Sequence, residues 1–68
     1  MKKQIKDLKV GEFFTLKDYG EHDVQESVVW VRGEYDRSSK TYSCCKFVDA
    51  NHEHFFKGTK DVYVEFYF

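Results

Sequence analysis

Two stretches of this chain alternate apolar with polar positions, and both predict β-strand. The longer, Glu26 to Asp49 (ESVVWVRGEYDRSSKTYSCCKFVD), reads as one extended β-hairpin. Val28, Val29, Trp30 and Val31 are β-branched or aromatic and suit a pleated surface, and Thr41 to Val48 resumes the same pattern. Between them, Asp36-Arg37-Ser38-Ser39-Lys40 supplies a polar reversal. The second stretch, Val62 to Phe68, predicts a strand that continues to the last residue, with Val62, Val64, Phe66 and Phe68 on one face and Tyr63, Glu65 and Tyr67 on the other. The first set is the better core candidate. In the hairpin, Val29, Val31, Gly33 and Tyr35 alternate with Val28, Trp30, Arg32 and Glu34. Two charges in the second set assign it to the outer face, and a slip of one residue would exchange the faces.

The rest of the chain is short connections. Ile5-x-x-Leu8-x-x-Gly11 leads into a first strand over Glu12 to Lys17, with Gly11 suited to a turn or bulge. Asp18 to Gln25 is a polar loop pivoting on Gly20. A single helical turn is allowed around Asn51 to Lys57, capped by Asp49 or Asn51. With no proline, repeat or composition break, residues 1–68 predict one small domain. Its expected class is all-β: an antiparallel meander curled into an SH3-like or related partial barrel, which encloses a core and limits open edges.

Composition bounds the function. A chain of 68 residues has little apolar volume, but seven Phe, five Tyr and one Trp compensate, since each ring can bury roughly 150–250 Å². Homo-oligomerisation is an open expectation at this size. No stretch approaches the roughly 18 apolar residues of a membrane helix, and Met1 to Asp7 has no apolar signal region. The chain therefore reads as cytoplasmic, with no membrane partner. A formal charge of −1 and a pI near 6.3 argue against a general phosphate-backbone binder, although Lys2, Lys3, Lys6, Lys9 and Lys17 crowd the first quarter.

Residues capable of chemistry are sparse. Cys44 and Cys45 are adjacent and point to opposite faces of a strand, with Cα atoms about 3.8 Å apart, too close for an ordinary disulfide. One buried thiol and one surface thiol is the expectation. His52-x-His54, with His22 and the two cysteines, lacks the spacing of a structural zinc site. A nucleophilic Cys–His pair would need an orienting group, an oxyanion site and a pocket. Nothing in the sequence supplies these, so no enzyme activity, cofactor or metal is expected.

Binding is the better reading. Trp30, Arg32 and Glu34 in a row on the outer face, with Arg37 at the hairpin tip and Tyr63 on the last strand, form a set of the kind that anchors protein interfaces. Another protein is the expected partner. Single-stranded nucleic acid or a nucleotide is the alternative, through stacking on the same rings. In a third reading, Trp30 and the tyrosines are covered by the N-terminal segment and belong to a second small core. A structural subunit assembling through the Val62 to Phe68 edge is a further alternative.

The segment VWVRGEYDRSSKTYSC (Val29 to Cys44), together with FFKGTKDVYVEFYF at the end, resembles a group of short uncharacterised proteins from gut bacteria and their phages or mobile elements. The likeness spans roughly Ile5 to Phe68. It implies a small accessory protein acting on a host or element-encoded partner, and no catalytic residue or cofactor. Turn chemistry alone also accounts for RGEYDRSSK, with Gly33 as a bulge and Asp36 and Ser38 bonding to backbone.

Overall fold

A computed structural model describes residues 2–19 and 24–66. Six strands carry the fold: β1 (Lys2–Gln4), β2 (Phe13–Phe14), β3 (Trp30–Asp36), β4 (Thr41–Lys46), β5 (Glu53–Lys57) and β6 (Asp61–Tyr63). Two short 3-10 turns, Ile5–Asp7 and Glu26–Val28, are the helical elements among the described residues. The strands form an antiparallel four-stranded meander, β2-β3-β4-β5, and an antiparallel pair, β1-β6. Among the described residues one isolated bridge, Thr15 to Tyr63, joins the two sheets. The protein is thus a small all-β fold. Neither sheet closes on itself among the described residues, so the expectation of an SH3-like barrel goes further than these strands establish.

The central hairpin forms where the alternation places it, but it is shorter and carries a bulge. Trp30, Val31 and Arg32 pair with Lys46, Cys45 and Cys44; the register then shifts, and Tyr35 pairs with Tyr42. Gly33 sits at the shift. A Cβ there would stand 2.2 Å from the Ser43 carbonyl oxygen, so the close approach of β4 requires glycine. At the tip, the Ser38 N–H donates to Asp36 Oδ1 at 2.9 Å, and Lys40 closes the loop in the left-handed region at φ 57°. Gly11, at φ 92°, turns the chain into β2 as expected.

Three strand expectations need correction. Residues 53–57 form strand β5, not a helical turn. Asp49 uses its carboxylate locally, accepting the Asn51 N–H at 3.0 Å, which tightens the reversal and returns the chain alongside β4. The last strand ends at Tyr63, because Glu65 takes φ 64° and breaks the extended run. Tyr67 and Phe68 lie outside the described residues, as do Gly20 and His22. Tyr63 is flanked on both sides, by Lys2 of β1 and by Thr15, so β6 is not a sheet edge there.

The core joins both sheets. Ile5, Leu8, Phe14, Trp30, Cys44 and Val62 are buried together, with Leu16, Tyr42, Phe56 and Val64 packed against them. Ile5 and Leu8 share a face because side chains three apart eclipse on a 3-10 turn, here closed by the Leu8 N–H to Ile5 carbonyl bond of 3.0 Å. Val29 is buried as expected, but from Trp30 onward this core overturns the expected hairpin faces. Trp30 is 7% exposed and opposite Phe14, whereas Val31 is only half-buried and Tyr35 is 46% exposed. Arg32, whose charge argued for the outside, shares the inner face. Its guanidinium lies 4.3 Å over the Tyr42 ring and donates to the Gly33 carbonyl at 2.8 Å.

Candidate binding surface

The five residues expected to form one site do not converge. Trp30 is walled in: the edges of His52, His54 and Phe56 approach its ring at 5.7, 6.1 and 5.4 Å. Lys46 covers it at 5.1 Å, and the same ammonium donates to the Ser27 carbonyl at 2.7 Å, fastening the Glu26–Val28 turn to β4. A small concavity of about 180 Å³, lined in part by Leu16, Tyr19 and Val28, reaches its remaining edge. Arg32 is half-buried over Tyr42, Glu34 is exposed at the bulge, and Arg37 is exposed in the tip. Tyr63 is half-buried on the other sheet. Trp30 is therefore a core residue, and the outer-face row Trp30–Arg32–Glu34 does not exist.

What the hairpin does present lies nearer its tip. Because the bulge shifts the alternation, Tyr35 falls on the same face as Tyr42, their ring centroids 4.8 Å apart and tilted by 51°. Arg32, Tyr42 and Tyr35 thus form a short stack that begins in the core and ends in solvent. Tyr42 is held from the other side by Gly58, where an added Cβ would come within 2.9 Å of its ring. Around this stack opens a concavity of about 520 Å³, lined by Tyr35, Tyr42, Gly58 and Thr59 and by the lysines Lys6 and Lys40. None of its lining residues is acidic.

Four separate segments meet here, so no one stretch of the chain displays the whole concavity. Lys6 arrives on the first 3-10 turn, whose N–H donates to the Gly58 carbonyl at 3.1 Å. Lys40 comes from the hairpin tip, and Gly58 and Thr59 from the turn between β5 and β6. Two cues were present in the sequence: Gly33 as a bulge, and tyrosines seven apart across a five-residue reversal. Carrying the bulge into the alternation would have put Tyr35 and Tyr42 on one face.

The cysteines and histidines take structural positions. Cys44 is buried and Cys45 half-buried, on opposite faces of β4 and both unbridged. Burial pushes the Cys44 thiol above its ordinary pKa; the Gly33 backbone and the Arg32 charge pull the other way less strongly. Its Sγ points at the Tyr42 carbonyl, 3.8 Å away. A buried, protonated thiol is a weak nucleophile. Among the described residues no three His, Cys, Asp or Glu side chains gather as a metal-holding group. No helix of these residues is long and apolar enough to cross a membrane.

Comparison of the chain with protein-family models, curated proteins and solved structures returns no match.

Proposed function

We propose that this protein is a small, non-enzymatic binding module, and that it captures an acidic segment of a partner protein in the lysine-lined concavity around Tyr35. The observation that carries this reading is the Arg32–Tyr42–Tyr35 stack. It holds one exposed aromatic ring in place from the core outward, so little rotamer freedom is lost when a partner covers it. Tyrosine anchors of this kind are enriched in interface hot spots. Lys6 and Lys40 beside it attract negative charge without imposing a planar geometry. Such a module fits the role of an accessory protein whose work is to dock on another.

A nucleotide or single-stranded nucleic acid is the second reading, favoured by the same pairing of aromatic ring and cations. It ranks lower because Tyr42 is already engaged by Arg32, Tyr35 and Gly58, leaving Tyr35 as the exposed ring of this concavity. Successive bases need successive platforms.

Fluorescence anisotropy of a labelled Glu-rich peptide and of a labelled oligo-dT, each titrated with the protein across a salt series, separates the readings. The peptide is expected to bind and to weaken as salt rises. Tyr35→Ala and Lys40→Glu should each reduce its affinity roughly tenfold or more, in line with loss of a hot-spot anchor. Tighter binding of oligo-dT, with a steep salt slope, would promote the second reading. Peptide binding indifferent to Tyr35 would remove this surface from consideration.

A further inference from the structure

The meander has two ends, and they differ. On one side β2 continues into Thr15 and the bridge to Tyr63. On the other, β5 pairs with β4 alone among the described residues. An edge strand of this length normally invites pairing with another chain unless its side chains or its shape forbid it.

The register of β4 and β5 fixes which groups β5 turns outward. The Lys46 N–H donates to the His52 carbonyl at 3.1 Å, and hydrogen-bonded pairs alternate along an antiparallel ladder. Cys44–His54 and Tyr42–Phe56 are therefore the next bonded pairs. It follows that the N–H and C=O groups of Glu53, Phe55 and Lys57 face away from β4. These same three side chains share the outer face of the sheet with Cys45, Ser43 and Thr41. Phe55 is 51% exposed there.

From this we infer that β5 is the docking edge for a second copy of the same chain, paired antiparallel about a two-fold axis through Phe55. The argument is self-complementarity. Bonding requires outward-turned residues to meet outward-turned residues, and only the register centred on Phe55 uses all three from each copy. In that register Glu53 of each copy faces Lys57 of the other, and the two Phe55 rings meet between the ion pairs. On the opposite face, His54 meets Phe56. A lysine on an edge strand usually repels a neighbouring strand. In this register it meets a carboxylate instead, twice per dimer, as an isologous contact demands. Glu53 is already oriented, because the Ser43 hydroxyl donates to its Oε2. The product is an eight-stranded sheet running through both copies.

Charge reversal tests the inference, with sedimentation equilibrium as the readout. The mass should rise from 8.2 kDa toward twice that value as concentration increases. Glu53→Lys and Lys57→Glu should each weaken the dimer by roughly tenfold, since each replaces two attractive cross-strand pairs with two repulsive ones. The double reversal, Glu53→Lys with Lys57→Glu, should restore it, because the edge is self-complementary again. A monomer at all concentrations overturns the proposal, and so does a dimer that ignores the single reversals. Should a charge variant fail to fold, Phe55→Cys in a Cys45→Ser background supplies a second readout. Two residues on that axis have Cα atoms about 5.5 Å apart, within disulfide reach. Mild oxidation should then give a covalent dimer, and its absence would rule out this register.

Discussion

The two ends of the central hairpin use the same materials to opposite effect. At the base, Trp30 has a cation over its face, Lys46, and aromatic or imidazole edges around it, and the assembly is closed. At the tip, Tyr42 has a cation over its face, Arg32, and a second ring beside it, and the assembly is open. The difference is what the second strand brings. Opposite Trp30 the chain supplies Phe14 from β2, whereas β2 begins only at Phe13, opposite Val31, and has no residue opposite Tyr35. An aromatic–cation pair therefore does not reveal by itself whether it is core or surface; the length of the neighbouring strand decides.

The sharpest way to break this comparison is to remove the closed end. Trp30→Ala should cost about 3–5 kcal/mol, the range for deleting a buried large aromatic ring. A domain of this size has a total stability on that order. The variant should be largely unfolded at 25 °C by far-UV circular dichroism, and the wild-type protein should show blue-shifted, iodide-protected tryptophan emission. A cooperative urea transition within about 1 kcal/mol of wild type would mean that the base is not closed. The next largest effect belongs to Gly33→Ala. With the Ser43 carbonyl 2.2 Å from the new Cβ, the strands must part or the bulge must move. Overpacking of this kind costs about 1–3 kcal/mol. If the bulge moves instead, Tyr35 leaves the face of Tyr42, and the ring-current shifts of both tyrosines collapse in a proton NMR spectrum.

The thiols sharpen the contrast on a smaller scale. Cys44 belongs to the closed end and has its pKa raised by burial, so the folded state favours the protonated thiol. The sign follows from linkage: the stabilisation is complete below the unfolded thiol pKa, about 8.5, and is lost as pH rises through the higher folded value. Urea midpoints should fall more steeply above pH 8.5 in the wild type than in Cys44→Ala. A thiol-specific reagent should label Cys45 quickly and Cys44 only as fast as the protein opens. Equal rates would contradict the burial difference across β4.

How much of this was legible in the sequence depends on the range of the signal. Local turn chemistry was: Gly11, the Asp36–Ser38 bond and the Gly33 bulge all follow from residues a few positions apart. The hairpin strands were legible for the same reason. The face of Trp30 is not, because the charges of Arg32 and Glu34 both argue for solvent. Glu34 does point out, but Arg32 buries its stem, lays its guanidinium over Tyr42 and donates one N–H to the Gly33 carbonyl, while its Nε is buried without a partner among the described residues. Strand β5 was missed because Asp49 and Asn51 serve a tight turn as well as they cap a helix. Strand β1, with lysines at two of its three positions, carries no apolar pattern at all; its partner β6 supplies the order. The lysine-lined concavity gathers residues 6, 35, 40 and 59, a range over which no local pattern speaks.

The smallest expected effect is also the one that tests most directly whether the open end is built for a partner. Lys40 closes the hairpin tip at φ 57°, a conformation that costs a non-glycine residue roughly 1–2 kcal/mol. Glycine would relieve that strain, but it would also give up conformational freedom on folding, offsetting part of the gain. Lys40→Gly should therefore stabilise the fold by about 0.5–1 kcal/mol, a rise of a few degrees in Tm for a domain this small. Turn formation alone gives no reason for lysine here over glycine or asparagine. A role for its ammonium at the rim of the Tyr35 concavity does. The two explanations diverge in one variant: if the site is real, Lys40→Gly melts higher and binds the Glu-rich peptide more weakly. A variant that melts higher and binds just as well would leave Tyr35 without its cation, and the open end would then be an incompletely covered edge of the core.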